Sequence, residues 1–258
     1  MEEPPTIPEA SREVMPPMAI EPLSATDKFV GIISEPSATY EHISAVGARV
    51  SDWVLPVIIM SLVLGLALYV RFSNPDLAAE MMAQQEIALQ KQVEAGNLTS
   101  EQAARAKEQA QQLGGLTKLL MPIGAMIGYV FVFFFTALLY WLLVRFIMRG
   151  DITYTTVLSV IGLAAYISVI DQLISMLLML LTGKVWANLS PALFMTGDIT
   201  SMTFRLMLVF APITLWATYV MGIGFEKTAG ISRLKGLASA FLVWMLFSSL
   251  SVFGGFGM

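Results

Sequence analysis

Asp171 sits near the middle of an apolar run, Val157–Leu181, within Ser168-Val169-Ile170-Asp171-Gln172. A central aspartate costs a lipid-spanning helix about 2.5–3.5 kcal/mol, and each Leu, Ile or Val returns roughly 0.3–0.6 kcal/mol. The run holds fourteen such residues, so it still inserts, and the acid needs a separate reason to be there. An intramembrane carboxylate can relay an ion or a proton, or pair with a basic group. Arg205 opens the next apolar run on the side where this one ends, which makes it the best-placed partner. Asp171, Gln172 and Arg205 are therefore the intramembrane polar candidates. The alternative is structural: an interhelical pair, or a neutral acid hydrogen-bonded to Gln172 or to nearby backbone.

Little else in the chain could do covalent chemistry. Cysteine is absent, which removes disulfides, thiolate metal sites and thiol nucleophiles. His42 is the one histidine, so a histidine pair for a metal cannot form. No HExxH, Walker loop or nucleophile-elbow pattern is present. The sequence therefore implies no catalytic residues, no metal and no cofactor, and the expectation is a protein that is not an enzyme. A net charge of −4 leaves no basic surface for nucleic acid.

The elements that must hold Asp171 are long and apolar. Trp53–Phe72, Leu116–Ile147, Val157–Leu181, Phe204–Phe225 and Leu237–Phe256 each reach the length of about 20 residues needed to cross a hydrocarbon core. Charged residues make up 13% of the 258, about half the share of an ordinary soluble domain, which is what lipid demands. The fold class is all-α: a polytopic membrane bundle of five transmembrane helices with a soluble helical hairpin between spans one and two.

Residues 1–25 form a proline- and glutamate-rich tail, too poor in apolar residues to order itself. The opening Met-Glu-Glu-Pro-Pro lacks the basic and apolar regions of a secretory signal, so the first span is expected to target the protein. Residues 26–52 read as two short amphipathic helices broken at Glu35-Pro36, the second with Tyr40, Ile43, Gly47 and Val50 on one face. They either lie in the headgroup plane or cap the bundle. Residues 53–258 are the membrane domain. Within it, residues 74–115 form the hairpin: Asn74-Pro75-Asp76 starts one helix, Gly96-Asn97 ends it, and Thr99-Ser100-Glu101-Gln102 fits a capping box for the next, which stops at Gly114-Gly115. Its sparse apolar positions suit loose packing on itself or on a partner. The loop 183–202 carries Trp186 and a short in-plane helix from Pro191, a re-entrant lid or a connector.

Small residues mark close approaches: Gly124 and Gly128 form a GxxxG pattern, and Gly222 and Gly224 offer a second small face. These favour packing within one bundle over homodimerisation. Phe29, Tyr40, Trp53 and Trp186 are the expected interfacial anchors. The short loops 145–153 and 226–235 are dense in Arg and Lys, which favours a cytoplasmic N-terminus and an external C-terminus.

Three stretches resemble the Yip-domain (Ypt/Rab-interacting) family of five-span membrane proteins, in its bacterial branch. They are Phe29-Val-Gly-Ile-Ile-Ser-Glu-Pro36 with Thr39-Tyr40-Glu41, then Leu158-Ser-Val-Ile-Gly-Leu-Ala-Ala-Tyr166, and Trp216 with Gly222-Ile-Gly224 through Lys235-Gly236. The resemblance covers roughly Asp27–Phe256. It implies a bacterial cytoplasmic-membrane protein with a cytoplasmic N-terminus. The hairpin enlarges what is usually a brief loop in that family, and the eukaryotic Asp-Leu-Tyr-Gly-Pro signature is missing, so binding to Rab-type GTPases is not implied. Two functions remain open: a non-enzymatic membrane organiser or scaffold acting through lipids, a membrane-protein partner or a second copy of itself, and a small-solute or lipid permease using Asp171 and Arg205.

Overall fold

The computed structural model describes residues 21–112, 114–195 and 201–254. The proline-rich tail as far as residue 20 lies outside them. Every regular element among the described residues is helical.

Ser24 caps the first helix, α1 (Ala25–Ser34), through a capping box with Asp27. The break at Glu35-Pro36 separates it from α2 (Pro36–Val46), with Pro36 at the first helical turn, where its missing N–H costs nothing. Among the described residues four helices are long and apolar enough to cross a bilayer: α3 (Ser51–Ser73), α6 (Gly114–Leu142, continued by a π turn over Leu143–Ile147), α7 (Tyr154–Thr182) and α10 (Arg233–Gly254). Between α3 and α6 stand α4 (Pro75–Glu94) and α5 (Ser100–Gln112). The side chains of Asn74 and Thr99 accept from the first-turn backbone N–H groups of α4 and α5. Gly114 opens α6 rather than merely closing the hairpin.

The expectation of one rod over Phe204–Phe225 needs correction. The fourth span is two helices, α8 (Met202–Val209) and α9 (Pro212–Ala229), bent by 51° at Phe210-Ala211. Pro212 explains the position of the break: proline has no N–H to continue the helix and disfavours helical backbone in the residue before it. Ala211 accordingly adopts extended dihedrals.

The central helix is α7, most of whose first half is buried. It runs parallel to α3 in register, since Gly162 meets Trp53 near one end and Met179 meets Arg71 near the other. α9 packs on the opposite flank of α7 and against α10, and α6 leans on α3. α1 and α2 close one end of the bundle, here the cap face, where the turns Met148–Thr153 and Gly230–Ser232 also lie. The hairpin α4–α5 leaves from the other end, the hairpin face.

Candidate functional site

Asp171 lies about 26 Å along α7 from Tyr154 and about 16 Å short of Thr182, at 1.5 Å rise per residue. Its Oδ2 accepts a hydrogen bond of 2.8 Å from Thr214 Oγ1. Thr214 is the third residue of α9, in the first turn after the break, so the carboxyl group faces the positive end of that helix. The other oxygen, Oδ1, is buried and has no hydrogen-bond partner among the described residues. Gln172 is half-buried beside it.

The structure does not bring Arg205 to Asp171. Arg205, in α8, donates through Nη1 to the carbonyl of Val252 near the end of α10, at 3.2 Å. The expectation of Arg205 as the partner of Asp171 needs correction: the bend turns α8 toward α10 and leaves Asp171 to the first turn of α9.

A cleft of ≈ 160 Å³ begins one helical turn from Asp171. Its walls include Thr136 and Tyr140 of α6, Ile161 and Ser168 of α7, and Ala217 and Met221 of α9. Ser168 precedes Asp171 by one turn and Ala217 follows Thr214 by one turn, so the cleft stops short of the carboxyl group, whose Oδ1 is sealed from it. Tyr140 closes the end toward the cap face, with its ring 5.0 Å from that of Phe225 and its hydroxyl donating to the carbonyl of Ala240.

The cap face holds a second polar group. Lys28 Nζ lies 2.6 Å from Asp52 Oδ1, with Asp52 1% exposed. The second oxygen of Asp52 accepts from the backbone N–H of Arg49 at 2.8 Å. Glu41 and Lys227 pair at 2.5 Å across α2 and α9, and Glu226 pairs with Arg233. Tyr40 is fully buried in the core, and its hydroxyl donates to the carbonyl of Val160 at 2.8 Å; burial pushes its phenol above the usual range. A hydroxyl so placed is a packing element, not a headgroup anchor. Tyr40→Phe should lower stability by about 1 kcal/mol, the worth of one hydrogen bond whose acceptor is left buried. Thermal unfolding in micelles reads this, and an unchanged midpoint would mean the bond contributes nothing.

The remaining predicted positions separate by location. Phe29 stacks edge-on against Tyr166, and Trp53 packs on Phe133 and Phe134, so both face the bundle. Trp186 lies edge-on to Phe204, with Lys184 over its ring. Gly222 meets the backbone of Leu237, and Gly224 meets Val160 and Tyr40 so closely that no side chain fits. Gly124 and Gly128 instead face open space on the outer side of α6. The two patterns look alike in sequence, but one is a contact and the other a bare surface.

Sequence reading missed three features here: Thr214 as the partner of Asp171, the buried Lys28–Asp52 pair, and Arg71, whose Nε donates to the sulfur of Met179 at 3.2 Å. Pro212 was the available signal for the first. The second had none, because the residues lie 24 positions apart on different helices. Among the described residues no group of three or more His, Asp or Glu converges to hold a metal ion.

Five apolar helical segments, one of them broken, beneath a two-helix cap define an integral membrane protein of the helical-bundle class. The Yip1 domain family matches residues 30–254, and the chain belongs to that family, which is not a known family of enzymes. It is similar to "Membrane protein YknW" of Bacillus subtilis (strain 168), with 24% identity over 236 residues, 90% of this chain and 92% of the relative. No solved structure matches it.

Proposed function

We propose that the protein is a non-enzymatic organiser of the bacterial cytoplasmic membrane that docks a helix of a membrane-protein partner on its α4–α5 hairpin. One observation carries this reading. The two hairpin helices leave a groove of ≈ 360 Å³ between Leu89 and Val93 on α4 and Ala103 and Ala104 on α5. Lys107 and Glu86, paired at 2.8 Å, rim it. A hairpin built only to pack on itself would close that space with larger side chains; alanines opposite Leu89 and Val93 leave room for a third helix. A permease path through Asp171 and Arg205 has less support, since these side chains take different partners.

In this reading the N-terminus and the cap face are cytoplasmic and the hairpin is external. The short basic turns at the cap face, with Arg145, Arg149, Arg233 and Lys235, support that placement.

A photo-crosslinking residue at Ala103, in cells, should give one discrete adduct with a second membrane protein. Leu89→Asp with Val93→Asp should reduce that adduct at least tenfold while leaving the thermal midpoint of the bundle unchanged. A diffuse smear, or an adduct indifferent to the two aspartates, would remove the hairpin from the proposal. A self-adduct would replace the partner with a second copy. The chain has no cysteine, so single cysteines at Ser44 and Thr99 test orientation without background: only the latter should react with an impermeant maleimide added outside.

A further inference from the structure

We infer that Arg71, at the hairpin-face end of α3, binds the phosphate of an anionic phospholipid, with Lys118 and Lys184 adding positive charge at the same level. This stands apart from hairpin docking and rests on different residues.

A guanidinium stays charged in proteins and carries five N–H donors in a planar fork. Arg71 is half-buried, and its acceptor among the described residues is the sulfur of buried Met179, 3.2 Å from Nε. A thioether is a weak acceptor and brings no charge. That contact fixes the plane of the fork and leaves the Nη1–Nη2 edge without a protein partner. Neither of these nitrogens is sealed off as Asp171 Oδ1 is, so a ligand reaches both. A phosphate accepts two parallel N–H bonds from such an edge.

Two lysines stand at about the same height. A Cβ on Gly65 would touch Met126 and the carbonyl of Pro122 on α6, which runs antiparallel to α3. That register puts Lys118 within a turn of the level of Arg71. Lys184 lies just past the end of α7 and close in sequence to Met179, with its ammonium 4.9 Å from the centre of the Trp186 ring. None of the three cations forms an ion pair among the described residues, and Glu80, on the adjoining α4, holds Gln84 instead. The C-terminal ends of α3 and α7 each contribute about half a negative charge. Three full positive charges exceed that by about two, so the counter-charge comes from outside the chain.

Depth decides what brings it. Arg71 is in the last turn of a membrane span, just before Asn74 starts the hairpin, which is the level of lipid head groups. Toward the bilayer middle the same helices expose Leu62 and Leu66 on α3 and Leu173 and Leu177 on α7. A phosphate held at Arg71 therefore stands at the end of a surface that acyl chains cover, which a free anion would not use. A net anionic lipid matches the excess charge, whereas the ammonium of a zwitterionic lipid would be repelled by the lysines.

Native mass spectrometry of the purified full chain, titrated in micelles with phosphatidylglycerol, phosphatidylcholine or inorganic phosphate, tests the assignment. Phosphatidylglycerol should bind saturably at one molecule per chain, at least fivefold more tightly than phosphatidylcholine, and inorganic phosphate should not displace it. Arg71→Gln should weaken phosphatidylglycerol about tenfold, the loss expected for a charge-assisted pair. Arg71→Lys should weaken it at least threefold, because an ammonium cannot make the two parallel bonds. Arg105→Gln, exposed on α5, should change nothing. Equal binding of the two lipids, displacement by inorganic phosphate, or phosphatidylglycerol binding that survives Arg71→Gln overturns the proposal. An equal loss in Arg105→Gln also overturns it, since general charge attraction would then account for the binding. If Arg71→Gln does not fold, unchanged binding by Arg71→Lys overturns it alone.

Discussion

Asp52→Ala should cost the folded protein about 3–5 kcal/mol, the range found when one partner of a buried ion pair is removed. The Lys28 ammonium would stay buried, its side chain 9% exposed, without its acceptor at 2.6 Å. The same change orphans the Arg49 N–H, which Asp52 Oδ2 accepts where the chain turns from α2 into α3. Replacing both partners, Lys28→Met with Asp52→Leu, should recover most of the loss, because two apolar side chains leave no charge to solvate. Chemical unfolding of the single and double variants in micelles measures this. A single-variant loss under 1 kcal/mol, or a double variant as weak as the single, would show that the pair does not hold α1 on the bundle. Limited proteolysis gives a second readout, since a released α1–α2 cap exposes Gly47–Arg49 to cleavage.

The second large effect lies where helix backbones touch. A Cβ on Gly162 would sit 2.5 Å from Trp53 Cα and 3.0 Å from the carbonyl oxygen of Asp52. On Gly236 it would lie 2.4 Å from the carbonyl oxygen of Gly222. The obstructing atoms are backbone, which cannot swing aside as a side-chain tip can. Gly162→Ala should therefore push α3 from α7, and Gly236→Ala should push α10 from α9, each costing about 1–3 kcal/mol as overpacking does. Gly124→Ala and Gly128→Ala should do the reverse. Nothing stands within 4 Å of either position, and alanine gains up to about 1 kcal/mol over glycine inside a helix. Thermal midpoints of the four variants should split into two falls and two rises; four falls would mean that α6 is covered by a second copy, and sedimentation of the same samples would then show dissociation.

The fold was readable to the extent that lipid dictates it. Span lengths, the Glu35-Pro36 break and the caps at Asn74 and Thr99 each follow from local chemistry, and each stands in the structure within a few residues. The break in the fourth span was also written locally, at Pro212, but a run of apolar residues on both sides masked it. What could not be read was pairing across the bundle. The registry of α3 against α7, and hence which glycine touches which backbone, depends on three-dimensional neighbours that a periodic apolar pattern leaves undefined. Gly124-xxx-Gly128 illustrates this, since its spacing advertises a contact that its place on the outer face of α6 does not provide. Asp171 could be singled out because charge is rare in lipid, but Thr214 resembled any other hydroxyl in a span.

The bent fourth span also constrains the order in which the chain can be assembled. α8 has eight residues, too few to cross a bilayer alone, and it carries Arg205. One acceptor for that guanidinium is the carbonyl of Val252, which is synthesised 47 residues later. The contact between α8 and the end of α10 therefore forms only after the last span has been made. Ribosome-stalled chains ending before α10 should therefore lack this tie, and a photo-crosslink from Arg205 to α10 should appear only once the last span is complete.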